Sequence, residues 1–133
     1  MAAFLLTVGP FRIMASNVQE VHPDFSGRGT TAMKPEEFVA FLGSERASAI
    51  LRTDDGDLAI PAMEAALAAG FRVCEYTLTI PGAFECIRET SSRHEHVVVG
   101  AGTVLTEDQA RKAIDHGARF LVSPIMDPKM IQL

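Results

Sequence analysis

One spacing dominates this sequence. Apolar runs rich in β-branched and aromatic residues begin at Ala47, Phe71, His96 and Arg119, roughly 22 to 25 residues apart. Each of the first three leads into a segment with apolar residues at helical spacing: Met63, Ala66 and Leu67, then Phe84 and Ile87, then Ala110, Ala113 and Ile114. Two junctions nearly repeat, Ala69-Gly70-Phe71-Arg72-Val73 and His116-Gly117-Ala118-Arg119-Phe120, and both read as helix, glycine cap, strand. Successive strand-helix units of so short a period imply a parallel sheet with right-handed crossovers. Two architectures satisfy this: an open doubly wound sheet, or the first half of a barrel. A complete (β/α)8 barrel is excluded, because it takes about 250 residues and this chain has 133.

The units are preceded by residues 1–33, which show no apolar period and carry Pro23, Ser26, Gly27 and Gly29, so they read as a flexible leader. Residues 34–133 then form the structured domain. It opens at Lys34-Pro35-Glu36-Glu37, where proline at a first helical position and acids in the first turn announce a short helix that presents Phe38, Phe41 and Leu42 and stops at Gly43. Pro81 opens the second crossover helix. Thr106-Glu107-Asp108-Gln109 fits a capping box for the third.

Composition removes whole classes of function. With 47% hydrophobic and 22% charged residues the chain reads as globular. A net charge of -5, with 12 basic residues scattered among 17 acidic ones, argues against binding to nucleic acid. No apolar run approaches the roughly 18 residues that span a bilayer. Cys74 and Cys86 are too few for a disulfide scaffold and lack metal-type spacing, so the expected compartment is the reducing cytoplasm. Residues 1–19 have no acidic residue and one arginine, a composition compatible with a transit peptide to a plastid or other organelle.

The candidates for chemistry lie at or near the carboxyl ends of the runs, where parallel α/β proteins of both types place their ligands. Glu75 shares strand parity with Val73, Thr77 and Thr79, while Arg72, Cys74, Tyr76 and Leu78 take the other face. A carboxylate in mid-strand of a parallel sheet is costly unless paired or used, so Glu75 is either half of a structural ion pair or a working group. Arg52 closes the first run, as a surface cation or a ligand contact. Thr103 ends Gly100-Ala101-Gly102-Thr103, whose glycines suit a turn or the close approach of a ligand. Asp54, Asp55 and Asp57 read as helix capping over a cation site. His94 and His96 alternate as ligands do, yet stand at a strand entrance and read as surface residues; no metal site is expected.

Three segments carry a family resemblance: Val73-Cys74-Glu75-Tyr76-Thr77-Leu78-Thr79-Ile80-Pro81-Gly82-Ala83, Val99-Gly100-Ala101-Gly102-Thr103-Val104-Leu105, and Gly117-Ala118-Arg119-Phe120-Leu121-Val122-Ser123-Pro124. In order and spacing, from about residue 47 to 124, the chain resembles the 2-keto-3-deoxy-6-phosphogluconate (KDPG) and 4-hydroxy-2-oxoglutarate (KHG) aldolases. The resemblance implies the first four β/α units of a TIM (β/α)8 barrel, truncated. It implies a homo-oligomer, usually a trimer in the full-length family, that cleaves a 2-keto-4-hydroxy acid to pyruvate and an aldehyde through a Schiff base on lysine, with no cofactor. Its partner would be the small keto-acid substrate. Glu75 would be the acid/base, Arg52 and Thr103 would hold the pyruvate-derived carboxylate, Pro124 would wall the pocket, and Thr79 would stand where some relatives place an arginine toward the distal part of the substrate.

The family's Schiff-base lysine lies on the sixth strand, beyond the four read here. The lysines present are Lys34, Lys112 and Lys129, none at a matching position. The covalent route needs an amine nucleophile, so the chain by itself is expected to be inactive. The alternative is a non-catalytic half-barrel remnant or interaction protein that buries its open edge against a partner.

Overall fold

A computed structural model describes Ala3, Phe4 and residues 34–132. Its elements are β1 (Ala3–Phe4), α1 (Pro35–Glu45), β2 (Ala49–Arg52), a 3-10 turn (Gly56–Leu58), α2 (Ala59–Ala68), β3 (Val73–Thr77), α3 (Ala83–Arg93), β4 (Val98–Gly102), α4 (Glu107–Asp115), β5 (Phe120–Val122) and α5 (Pro128–Ile131). The sheet order is β1-β2-β3-β4-β5. Pairing is parallel from β2 through β5. The four parallel strands fall on the four runs read from the sequence.

The repeated junctions are built alike. After α2, the Gly70 amide donates to the Leu67 carbonyl at 2.9 Å and the Phe71 amide to Ala66 at 3.3 Å; after α4, Gly117 donates to Ile114 at 2.9 Å and Ala118 to Ala113 at 3.0 Å. This is one helix-ending motif used twice, and it needs a residue at positive φ, which Gly70 (101°) and Gly117 (99°) supply. Each junction turns the chain back into the next strand with its backbone groups paired, which sets the short period.

Boundaries differ from the sequence reading in several places. Helix α1 passes through Gly43 and stops two residues later, where Arg46 takes the left-handed cap (φ 58°) and its amide donates to Leu42. Glycine in a helix costs only about 1 kcal/mol, and the Gly43 site is open space, so the helix tolerates it. Pro81 stays in the turn, with Gly82 as the N-cap of α3. The capping box at α4 is split: Thr106 Oγ1 accepts from the Gln109 amide at 3.2 Å, but Gln109 Oε1 takes the amide of Leu105, not of Thr106, at 2.8 Å. The leader reading falls mostly outside the described residues, but Ala3–Phe4 pairs antiparallel with Arg52 and Leu51 and so covers part of one sheet edge.

The two faces of the sheet have separate cores. On the helix side, Ala49, Leu51, Cys74, Tyr76, Val99 and Ala101 pack with Met63, Ile87 and Ala113. On the other side, Phe41 of α1 packs with Val73 and Val98, joined by Phe38 and Phe120, at the amino ends of the strands. The Phe38 and Phe120 rings stack at 5.0 Å. Arg72 ties α1 to this base, with Nη1 3.2 Å from Glu45 Oε1 and its guanidinium 5.1 Å from the centre of the Phe41 ring. Helix α1 therefore plugs the amino end of the inner face and leaves the carboxyl end for chemistry.

Candidate functional site

The inner face changes character over three residues of β3. Val73 belongs to the apolar plug, Glu75 comes next on the same side, and Thr77 follows; all three are buried. The parity reading holds within β3, where Cys74 and Tyr76 face the helices and the Tyr76 hydroxyl is hydrogen-bonded to Thr90 Oγ1 at 2.8 Å. It does not hold for Arg72, which lies before the strand begins and turns to Glu45 and Phe41 of α1 on the other side. Glu75 is only 6% exposed. Burial pushes its carboxyl above the usual 4.5, and the nearby Arg52 guanidinium opposes that rise. The result is an acid inclined to keep its proton longer than a surface glutamate does.

Arg52 and Thr103 meet at the carboxyl ends of β2 and β4. Arg52 Nη2 donates to Thr103 Oγ1 at 3.0 Å, across 51 residues of sequence. Thr103 sits at φ 61°, one of two non-glycine residues at positive φ among those described. Such a backbone costs of order 1 kcal/mol and persists where its surroundings hold it. Here the flanking ladder holds it: the Leu78 amide donates to Gly102 O at 2.7 Å and the Val104 amide to Val122 O at 3.1 Å. Since Thr103 Oγ1 accepts from Arg52, its own hydrogen is free to point at a ligand. A cation and a hydroxyl donor thus stand together at the rim, with a buried carboxyl below, an arrangement suited to an anionic substrate and proton transfer beneath it.

Two other candidates are less directly connected. Thr79 is exposed and its hydroxyl is hydrogen-bonded to Thr77 Oγ1 at 3.0 Å. Pro124 is exposed in the turn after β5, beside Ser123, whose hydroxyl donates to Ile125 O at 2.8 Å. Sequence reasoning passed over Thr77, although its parity with Glu75 was the available signal. It read Gly100 and Gly102 as a turn or as room for a ligand, whereas both lie in β4 and the space beside them is taken by Phe120 and Glu75.

The remaining candidates have structural roles. Asp55 caps the 3-10 turn by accepting from the Asp57 amide at 3.0 Å, and its own amide donates to Thr53 Oγ1 at 3.1 Å. An open acidic groove of about 810 Å3 lies between this turn and Pro81, Gly82 and Glu85, apart from Glu75 and Thr103. His94 is paired with Glu64 at 2.9 Å and meets His96 edge-on at 5.9 Å. Among the described residues, no group of three or more His, Cys, Asp or Glu is placed to hold a metal ion. Cys74 is buried and its thiol is pushed up to about 12; Cys86 is raised as well, first by burial and then by Glu89 and Glu85. Neither is disposed to act as a thiolate.

With this geometry in place, comparison with known proteins becomes specific. A family model for KDPG and KHG aldolases matches residues 40–133. The chain belongs to that family. It is 38% identical over 73 residues to a 2-dehydro-3-deoxy-phosphogluconate aldolase of Treponema pallidum, covering 55% of this chain and 35% of the relative. Against the KHG/KDPG aldolase of Escherichia coli it is 39% identical over 66 residues, 50% of this chain and 31% of that one. The chain thus aligns with about a third of the length of these curated relatives.

Solved structures agree. A KDPG aldolase from Legionella pneumophila, with pyruvate captured at low pH as a covalent carbinolamine intermediate, superposes with a TM-score of 0.54 at 30% identity, covering 62% of this chain and 39% of that one. The 2-keto-3-deoxy-6-phosphogluconate aldolase of Zymomonas mobilis gives 0.52 at 38% identity, with 59% and 37% covered. The four parallel strands and their helices are therefore part of a TIM-barrel aldolase fold, and the half-barrel reading replaces the open doubly wound sheet.

Proposed function

We propose that this chain supplies the acid/base and the carboxylate-binding rim of a class I aldolase that cleaves 2-keto-4-hydroxy acids to pyruvate and an aldehyde. The observation that carries the reading is the hydrogen bond between Arg52 and Thr103 at the carboxyl ends of the strands, with buried Glu75 beneath. Arg52 and the free Thr103 hydroxyl hydrogen bind the substrate carboxylate through charge-assisted hydrogen bonds. The 2-keto carbon then lies deeper, toward Glu75. When an amine adds to that carbon, Glu75 delivers a proton to the carbinol oxygen, which leaves as water. As the carbon-carbon bond breaks, the carboxylate takes the proton of the 4-hydroxyl group. A carboxyl whose proton is held above the usual range serves both steps near neutrality. The carbinolamine reported for the Legionella relative is the intermediate this scheme requires.

None of the three lysines in these 133 residues is assigned as the amine. Lys34 is exposed at the start of α1, Lys112 places its Nζ 4.3 Å from the centre of the Phe84 ring on the helix side, and Lys129 lies in α5. The cation that bears on the Glu75 carboxyl is Arg52 and not a lysine, and the nucleophile is indispensable to the covalent route. The 133-residue chain is therefore expected to bind pyruvate reversibly without trapping it. Borohydride reduction with pyruvate followed by intact mass measurement is the test: an unchanged mass is expected, and a reduced pyruvate adduct on lysine would overturn the assignment. Titration of pyruvate against the labelled chain should shift resonances around Arg52 and Thr103. No shift there would remove the carboxylate-binding rim.

A further inference from the structure

The carboxyl group of Glu75 lies in space that a side chain at position 102 would take. In register, Glu75 is opposite Gly100 and Thr77 is opposite Gly102. Glu75 therefore leans forward along the sheet to reach Gly102, the lean that strand side chains commonly take. A methyl group added to Gly102 would overlap Glu75 Oε1 and lie 2.6 Å from Cδ and 3.1 Å from Cγ; its three nearest neighbours all belong to Glu75. Gly102 is not among the residues at positive φ, so its backbone does not demand glycine. Gly100 is different, because a methyl there would strike the ring of Phe120. One glycine admits the aromatic floor and the other admits the acid.

We propose that Gly102 is the positioning residue of this site: its bare Cα seats the Glu75 carboxyl against β4, level with Thr77, and a side chain there displaces it. The inference rests on the acid/base reading of Glu75 for its catalytic meaning, while the steric relation stands without it. Because the obstacle is the far end of a flexible side chain, Gly102→Ala is expected to fold with Glu75 swung toward solvent.

Two measurements on the 133-residue chain test this. The first follows the Glu75 side-chain carboxyl carbon by NMR through a pH titration. Gly102→Ala should bring its midpoint down toward that of an ordinary glutamate; an unmoved midpoint would overturn the proposal. The second is a stability cycle with Glu75→Ala. Replacing a strand glycine with alanine gains about 0.5–1 kcal/mol where nothing obstructs it. Gly102→Ala should therefore raise the folding constant about two- to fivefold in the Glu75→Ala background, and not in the parent. Equal effects in both backgrounds would overturn it. Should Gly102→Ala fail to fold, folding of the double variant supports the proposal and its failure refutes it. Neither readout involves a keto acid or an amine, so loss of pyruvate binding would sink the functional reading and leave this result intact.

Discussion

On one side of β3, Cys74 and Tyr76 are enclosed by helices and the Tyr76 hydroxyl is paired with Thr90; on the other, one residue along, Glu75 and Thr77 lie on a face of glycines and hydroxyls. The helix side is closed in the way that gives stability, with apolar volume matched to apolar volume. The inner side has its aromatic cluster at the base, where Phe38, Phe41 and Phe120 gather. Above that base Glu75 and Thr77 share the face with Ile50 and Val122, whose neighbours Leu51 and Leu121 take the helix side. A single strand thus holds two kinds of residue that answer to different demands, and substitutions should separate them.

The largest expected effect is on the helix side. Ile87→Ala removes a fully buried side chain of α3 and should cost about 2–5 kcal/mol in urea denaturation, while Glu75 titrates as in the parent. A cost below about 1 kcal/mol would show that the helix layer is not packed as described.

Glu75→Gln should act more weakly, with a sign set by pH. The folded chain holds the Glu75 proton above 4.5. Its contribution to stability is then fully present below 4.5 and is lost as pH rises through the folded-state value, because the native state binds the proton more tightly in that window. Glutamine has no proton to lose. Stability measured against pH should decline less for the variant above 4.5 than for the parent; parallel curves would mean that Glu75 is not desolvated.

Smallest of all is the stability effect of Arg52→Ala. The side chain is exposed, so the change should stay within about 0.5 kcal/mol. It should nonetheless raise the Glu75 midpoint, since Arg52 holds that acid down. A downward move would contradict the electrostatic pairing of the two faces of the rim.

Much of this was legible in the sequence because periodicity records local physics. Each parallel strand, the parity of Glu75 and the glycine exits at Gly70 and Gly117 follow from neighbours in the chain. What was not legible depends on partners far apart. The Arg52–Thr103 bond joins residues 51 apart, and the space for Glu75 is set by Gly102 on the adjacent strand. The end of α1 was misplaced because Gly43 looks like a stop, whereas Arg46 completes the turn. The edge pairing of Ala3–Phe4 has no periodic signal at all, being two residues long.

Thr103 shows how these demands collide at a single position. Glycine would relax its backbone, at φ 61°, by of order 1 kcal/mol and would delete the hydroxyl in the same exchange. Backbone ease and the bond to Arg52 therefore pull this position in opposite directions. Selecting variants of this chain for thermal endurance alone would tend to erase that bond, so any such selection has to be scored on the proposed pyruvate binding as well.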